Sequence, residues 1–250
     1  MSKNLKNMLK DFSEEKVNKI IEMIKKLEGK IPQGIKVKKL NTKSISIISN
    51  NFVLKSYSTS DFFTEEYCPI LKLTDIKFKH VVKAYDYDFE YGLLLLEKLK
   101  SINLEDLTNV AFVKKLIYIV INFISNLFID NSMINVNMTH RDIGIDESGI
   151  IKVFNFEKSR YINKENEFIS KFRLYQNFKF FIDKLMETIT NKNIKDMIEE
   201  FIIDFNYKLT DLKIYENPSV SGNYEKTKVR LFKFLDFNSI INYVKAWSLN

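Results

Sequence analysis

The chain is poor in the residues that staple or punctuate a fold. It has one cysteine, Cys68, in 250 residues, so no intrachain disulfide can form. A chain this long buries most of its surface without one. A lone thiol points to a reducing compartment and makes the cytoplasm the expected location; Cys68 itself reads as a small apolar residue rather than a reactive one. With only six glycines and three prolines there is no Gly/Ser-rich or Pro-rich linker, and no internal repeat is visible. Between Lys36 and Phe52 there is no glycine at all, which excludes a glycine turn that brings backbone amides against a phosphate there. The first residues, MSKNLKNMLKDFSEEK, lack the apolar core of a leader peptide. The longest apolar run, around Leu116 to Ile129, is interrupted by Asn122, Ser125 and Asn126. It reads as a buried helix, and no window is expected to reach the apolar length of a bilayer span.

What the chain has in quantity is lysine, asparagine and isoleucine. Its 39 basic and 32 acidic residues leave a formal charge of +7. Basic excess invites a nucleic-acid reading, because clustered cations release counterions from a phosphate backbone. Here the lysines are scattered as pairs such as Lys25-Lys26, Lys38-Lys39 and Lys114-Lys115. Scattered pairs suit solvated helix and strand faces, and no nucleic-acid-binding signature accompanies them, so nucleic acid is not the expected partner.

Two kinds of periodicity divide the chain. Val17, Ile20, Ile21, Ile24 and Leu27 follow a helical period, with Ser13, Glu14 and Glu15 suited to the start and Gly29 and Pro32 to the end, so residues 1–33 are expected to form an amphipathic leading helix. From Ile35 to Tyr57 the pattern alternates in three short runs, IKVKKL, SISIIS and NFVLKSY, which reads as three strands. Thr59 to Leu73 returns to helical spacing, and VVKAYDYDFE and GLLLLEKL read as two further strands meeting near Gly92. Beyond Leu99 the segments Leu104–Leu107, Val110–Ile129, Phe168–Ile189, Ile194–Phe205 and Phe237–Trp247 read as helical, with only residues 134–162 expected to interrupt them with β-structure. The expected fold is α+β: a β-rich lobe over residues 34–99 and an α-rich lobe over residues 100–250, with a short hinge near Glu97 to Ser101 and a ligand cleft between them.

One stretch reads as chemistry rather than packing: THRDIGIDESGIIKVFNFEKSR, residues 139–160. His140-Arg141-Asp142 is followed by a β-like apolar run and then by Asn155-Phe156-Glu157. With Lys55 in VLKSY on the third strand, that order resembles the protein-kinase superfamily, in which HRD precedes a short hairpin and DFG. The resemblance implies a bilobal kinase-like fold with ATP and Mg2+ as ligands. Lys55 would reach the nucleotide phosphates, oriented by a carboxylate on the following helix, Glu65 or, preferably, Glu66. Asp142 would be the catalytic base, Asn155 the metal ligand, and backbone groups from Glu97 to Leu99 would meet the adenine. Read alone, Lys55 is an edge-strand lysine facing water, and the HRD run is a hairpin with a capping Asp. His80, before the fourth strand, reads as a packing or hydrogen-bonding residue.

The departures from the family pattern bear on activity. The family has Asn five positions after the HRD Asp; here that position is Glu147. The spacing from Asp142 to Asn155 is also shorter than the family's, and a shifted register removes that deletion: Asp142 then stands at the loop metal ligand and Asn137 at the base, which leaves no base. Asp146 or Glu147 would supply an oxygen ligand, or else form an ordinary turn before Gly149. Asn155 lacks the negative charge of the DFG Asp, and Glu157 replaces its glycine. No APE-like tripeptide follows Arg160. A pseudokinase, meaning a binding or regulatory module with weak or metal-independent nucleotide binding and an unidentified protein partner or substrate, is the leading expectation. A divergent active phosphotransferase and an unrelated basic binding protein are the alternatives.

Overall fold

Two helices open the chain, α1 (Ser2–Met8) and α2 (Glu14–Glu28). The second forms where the capping pattern asks for it. The Ser13 hydroxyl accepts from the Lys16 amide at 3.3 Å, and Gly29 stops the helix in the left-handed region at φ 72° with its N–H donating to the Lys25 carbonyl. The structure, a computed structural model, describes the chain except residues 1, 40–43, 132, 136, 157–158, 162–166, 219–223, 233–236 and 250. For residues 2–4, 39, 128–131, 134–135, 160–161, 167–174, 206–218, 224–232 and 237–239 it describes the backbone alone.

After α2 come β1 (Lys36–Lys39), β2 (Ser44–Ile48), β3 (Phe52–Tyr57), α3 (Ser60–Asp75), β4 (Ala84–Asp88), β5 (Leu93–Glu97) and β6 (Lys100–Ser101). Then follow α4 (Val110–Asn131), β7 (Met133–Asn135), β8 (Ile143–Ile145), β9 (Ile151–Val153) and β10 (Ser159–Tyr161). The chain ends with α5 (Glu167–Thr188), α6 (Lys192–Leu209), β11 (Thr210–Pro218), β12 (Tyr224–Phe232) and α7 (Phe237–Leu249). Two compact units result, Met1–Ile102 with Ile129–Tyr161, and Asn103–Phe128 with Ile162–Asn250.

The first unit is built on a five-stranded antiparallel sheet in the order β1-β2-β3-β5-β4. Strand alternation sends Phe52, Leu54, Leu93 and Leu95 to one face, where they share a core with Leu5, Leu9, Val17, Ile20, Met23 and Ile24 of the opening helices. The leading helix therefore packs on its own sheet. Ile20 and Ile24 are fully buried there, each contributing about 1.5–3 kcal/mol. The other face carries Val53, Lys55, Leu94 and Leu96, in register with β2 and with each other. A second, three-stranded sheet in the order β6-β8-β9 adjoins the end of β5, and Val81 bridges to Val153 of β9. His80 takes the hydrogen-bonding role expected of it. It is buried, and Nδ1 donates to the Ile151 carbonyl at 2.7 Å.

The second unit holds the long helices. Within it Phe201 packs on Trp247 with ring centroids 4.1 Å apart, and Phe178 on Phe205 at 5.1 Å. One helix, α4, corrects the sequence expectation about span length: its window Val110–Leu127 has the length and apolarity of a bilayer span. Of that window 56% is buried inside the protein, as in a core helix. The β11–β12 hairpin, paired from Thr210 with Phe232 to Pro218 with Tyr224, is a further correction, because β-structure was expected only over residues 134–162. The alternation in DLKIYENP and YEKTKVRLF on either side of a Ser-Gly-Asn stretch carries a hairpin pattern. The single leading helix expected over residues 1–33 is instead two helices, α1 and α2; the seven residues of α1 are too few for a periodic signal of their own.

Candidate functional site

Helix α3 is positioned to present Glu66 to β3. The Thr59 hydroxyl caps its start, accepting from the Phe62 amide at 3.3 Å, and Phe63, Ile70 and Leu73 bury its inner face. On β3, Lys55 and Tyr57 are two residues apart and so lie on one side of the strand. Lys55 Nζ sits 2.5 Å from Glu66 Oε1, and the Tyr57 hydroxyl donates to Glu66 Oε2 at 2.5 Å. Glu66 is 0% exposed and Lys55 5%. Both carboxylate oxygens are thus satisfied in a dry setting, the condition under which a buried pair survives its desolvation cost. Of the two glutamates considered as partner to Lys55, it is Glu66 that faces the strand.

A cavity of about 570 Å³ lies against the same face of the sheet. Its apolar wall includes Ile48, Val53, Val82, Leu96, Leu99 and Phe154; its polar wall includes Lys36, Lys38, Ser46, Lys55 and Asn155. Volume and lining are those of a small-molecule site, where an apolar slot carries a few directed polar groups. Glu97 also lines it, but its side chain is engaged: Lys152 Nζ lies 2.7 Å from Oε1 and 2.9 Å from Oε2, and the Lys83 amide donates to Oε1 at 2.6 Å. Backbone donors here are partly committed as well. The Glu97 amide donates to the Lys83 carbonyl and the Lys98 amide to the Asn51 carbonyl, which makes Leu99 the residue whose amide lies beyond these pairings.

Asp142 occupies the end of a short 3₁₀ turn, His140–Asp142, directly before β8. Its Oδ2 accepts from the Thr139 amide at 2.7 Å and the Thr139 hydroxyl at 3.1 Å, closing a capping box. Its Oδ1 accepts from Asn155 Nδ2 at 2.7 Å. The hairpin makes this meeting obligatory. With Ile143 paired to Val153, the Phe154 amide donates to the Asp142 carbonyl, and the two side chains beyond that rung are neighbours. Asp142 is not among the lining residues of the cavity, yet it is hydrogen-bonded to one that is. Lys55, Glu97, Leu99 and Asn155 share the cavity, Glu66 braces Lys55, and Asp142 braces Asn155.

Asp146 takes the turn role. Oδ1 accepts from the Ser148 amide at 2.9 Å, the Ser148 hydroxyl at 2.7 Å and the Ile150 amide at 2.9 Å, while Oδ2 pairs with Lys152 at 2.9 Å. Burial pushes its carboxyl upward, but Lys152, Ser148 and the Ile150 amide outweigh that and hold it at about 2. Glu147 is exposed beside it, as is Arg141. His140 is half-buried, and burial, with Arg141 next to it, lowers its imidazole from the usual value. Among the described residues no cluster of three or more His, Cys, Asp or Glu side chains is found. Glu157 lies outside the described residues, as does the β1–β2 connection at 40–43.

Sequence reasoning missed Lys36, Lys38 and Ser46. Their alternation along β1 and β2 was a usable signal, since residues two apart share a face, but which face meets the cavity depends on pairing. Compared with known proteins, the chain matches no family model and no curated protein.

Proposed function

We propose that the chain is a degenerate protein-kinase-like domain, a pseudokinase that binds a nucleotide and acts as a binding or regulatory module. The observation that carries this reading is the buried Lys55–Glu66 pair at 2.5 Å, from the third strand of the sheet to the helix that follows it. A lysine on that strand paired to a glutamate on that helix is a defining device of kinase nucleotide sites. The antiparallel sheet with one helix between its third and fourth strands, and the cavity on the lysine's side, support the same assignment.

Loss of chemistry is read from Asp142 and Asn155. In the family a DFG Asp and a catalytic-loop Asn hold the metal ions. The Asp142–Asn155 hydrogen bond favours the register without a deletion, in which these two positions carry the same pair of residue types exchanged. One carboxylate and one amide carbonyl would still hold a hard cation, more weakly at Asn155 than a carboxylate would. In that register the base position is Asn137. An amide cannot accept the proton of an attacking hydroxyl at neutral pH, so transfer loses its general base.

The retained carboxylate is also what favours the second reading, a divergent active phosphotransferase. Calorimetric titration of the full chain with ATP, with and without Mg2+, followed by transfer of labelled phosphate to a generic acceptor, separates the two. Binding that is weakened by Lys55→Met, without transfer, is the expected result. Transfer abolished by both Lys55→Met and Asp142→Asn would establish the enzyme instead, and absence of any nucleotide binding would remove both.

A further inference from the structure

We propose that Lys38, Ser46 and Lys55 form a phosphate-binding row, built of side chains from three adjacent strands, that takes the phosphoryl groups of a nucleotide without a divalent cation. The inference rests on the nucleotide reading above and adds to it the residues that would replace a glycine loop and a metal. The sheet register carries the argument. Lys38 stands opposite Ser46, and Ser46 opposite Lys55. Directly opposed residues share a face with Cβ atoms about 4.5–5.5 Å apart, so the three side chains project together, and all three line the cavity. The neighbouring row is different in kind: Lys36 opposes Ile48, Ile48 opposes Val53, and Val53 opposes Leu96. One row is polar and cationic, while the next is apolar from Ile48 to Leu96 with a lysine at its outer end, an order suited to a flat base beside a string of phosphates.

Ser46 supplies the second, independent observation. It is 1% exposed, and its hydroxyl has no hydrogen-bond partner. Five buried polar side-chain atoms lack a partner among the described residues, and of these Ser46 Oγ is the one in the cavity lining; leaving a buried hydroxyl so costs free energy. This one lies in the cavity wall between two lysines, where a phosphoryl oxygen would accept from it and from both ammonium groups. The charge balance agrees. Glu97 is neutralised by Lys152 and Lys55 faces Glu66, while Lys36 and Lys38 are exposed and make no ion pair among the described residues. The lining therefore carries surplus positive charge, and its own side chains can offset much of the charge of a diphosphate.

The test titrates the full chain with ADP, adenosine and inorganic triphosphate, each in EDTA and in Mg2+, for wild type, Lys38→Gln, Ser46→Ala, Ser46→Thr and the surface control Lys30→Gln. Wild type should bind ADP in EDTA. Lys38→Gln should weaken ADP and triphosphate about tenfold or more, the worth of one charge-assisted hydrogen bond, and Ser46→Ala roughly threefold to tenfold. Adenosine affinity should not move, Ser46→Thr should restore ADP affinity, and Lys30→Gln should match wild type. Melting temperatures confirm that each variant is folded. ADP binding that demands Mg2+, or ADP affinity unchanged in both Lys38→Gln and Ser46→Ala, overturns the row and leaves the nucleotide reading standing. Folded wild type that binds neither ADP nor adenosine overturns that reading, whereas triphosphate binding lost in Lys38→Gln upholds the row even then.

Discussion

Replacing Glu66 with Gln keeps the shape of the α3–β3 contact and removes only its charge. Lys55, 5% exposed, would then lose its carboxylate partner in a largely buried site, and the Tyr57 hydroxyl would face an amide. Removing one member of a buried pair costs about 3–5 kcal/mol, because the survivor's desolvation is no longer compensated. Lys55→Met should cost a similar amount by stranding the carboxylate. The double variant Lys55→Met/Glu66→Leu should recover most of the loss, since an apolar pair of like volume is often neutral or stabilising. Urea denaturation followed by far-ultraviolet circular dichroism measures all four proteins. The single tryptophan, Trp247, belongs to the other unit and is the wrong reporter. In melting temperature each single loss corresponds to a fall of roughly 6–20 °C for a chain of this size. Single variants that each cost under about 1 kcal/mol, the range of surface pairs, would refute the buried pairing and with it the main support for the proposed function.

Two further outcomes follow from the same geometry. A Cβ added to Gly144 would meet the Leu99 Cβ at 2.6 Å and the Lys100 carbonyl at 2.9 Å; Gly144→Ala should therefore destabilise by about 1–3 kcal/mol and weaken nucleotide binding by displacing Leu99, read by denaturation and titration together. Asp146, held at about 2, has a folded-state value below its unfolded one near 3.9. Its contribution to stability is fully present above the unfolded value and is lost as pH falls toward 2; Asp146→Asn should flatten the stability profile between about pH 5 and pH 2, and an unchanged slope would show that the Lys152 and Ser148 contacts do not hold the carboxylate.

The parts legible in the sequence were those set by local pattern. Ser13 and Gly29 bracketed α2, and alternation marked β1, β2 and β3 before any pairing was known. The Lys55–Glu66 partnership was reachable because strand and helix are adjacent in the chain and each has one face. The Asp142–Asn155 hydrogen bond was only half legible. The HRD triplet and the spacing favour different registers, and the rung between Ile143 and Val153, which brings the side chains together, is set by tertiary pairing. Ser46 and Lys38 were invisible for the same reason: their alternation was plain, but the choice of inward face belongs to the sheet as a whole. The β11–β12 hairpin was missed because it sits among helices that dominate the surrounding hydropathy.

Strand β5 has no wet side. Leu93 and Leu95 are spoken for by the opening helices, and Leu94 and Leu96 are fully covered on the opposite surface, where Leu96 forms part of the cavity wall. In a sheet with one solvated face, every other position tolerates polar side chains. Here none of the four consecutive leucines does, so a polar substitution anywhere along this segment should be damaging.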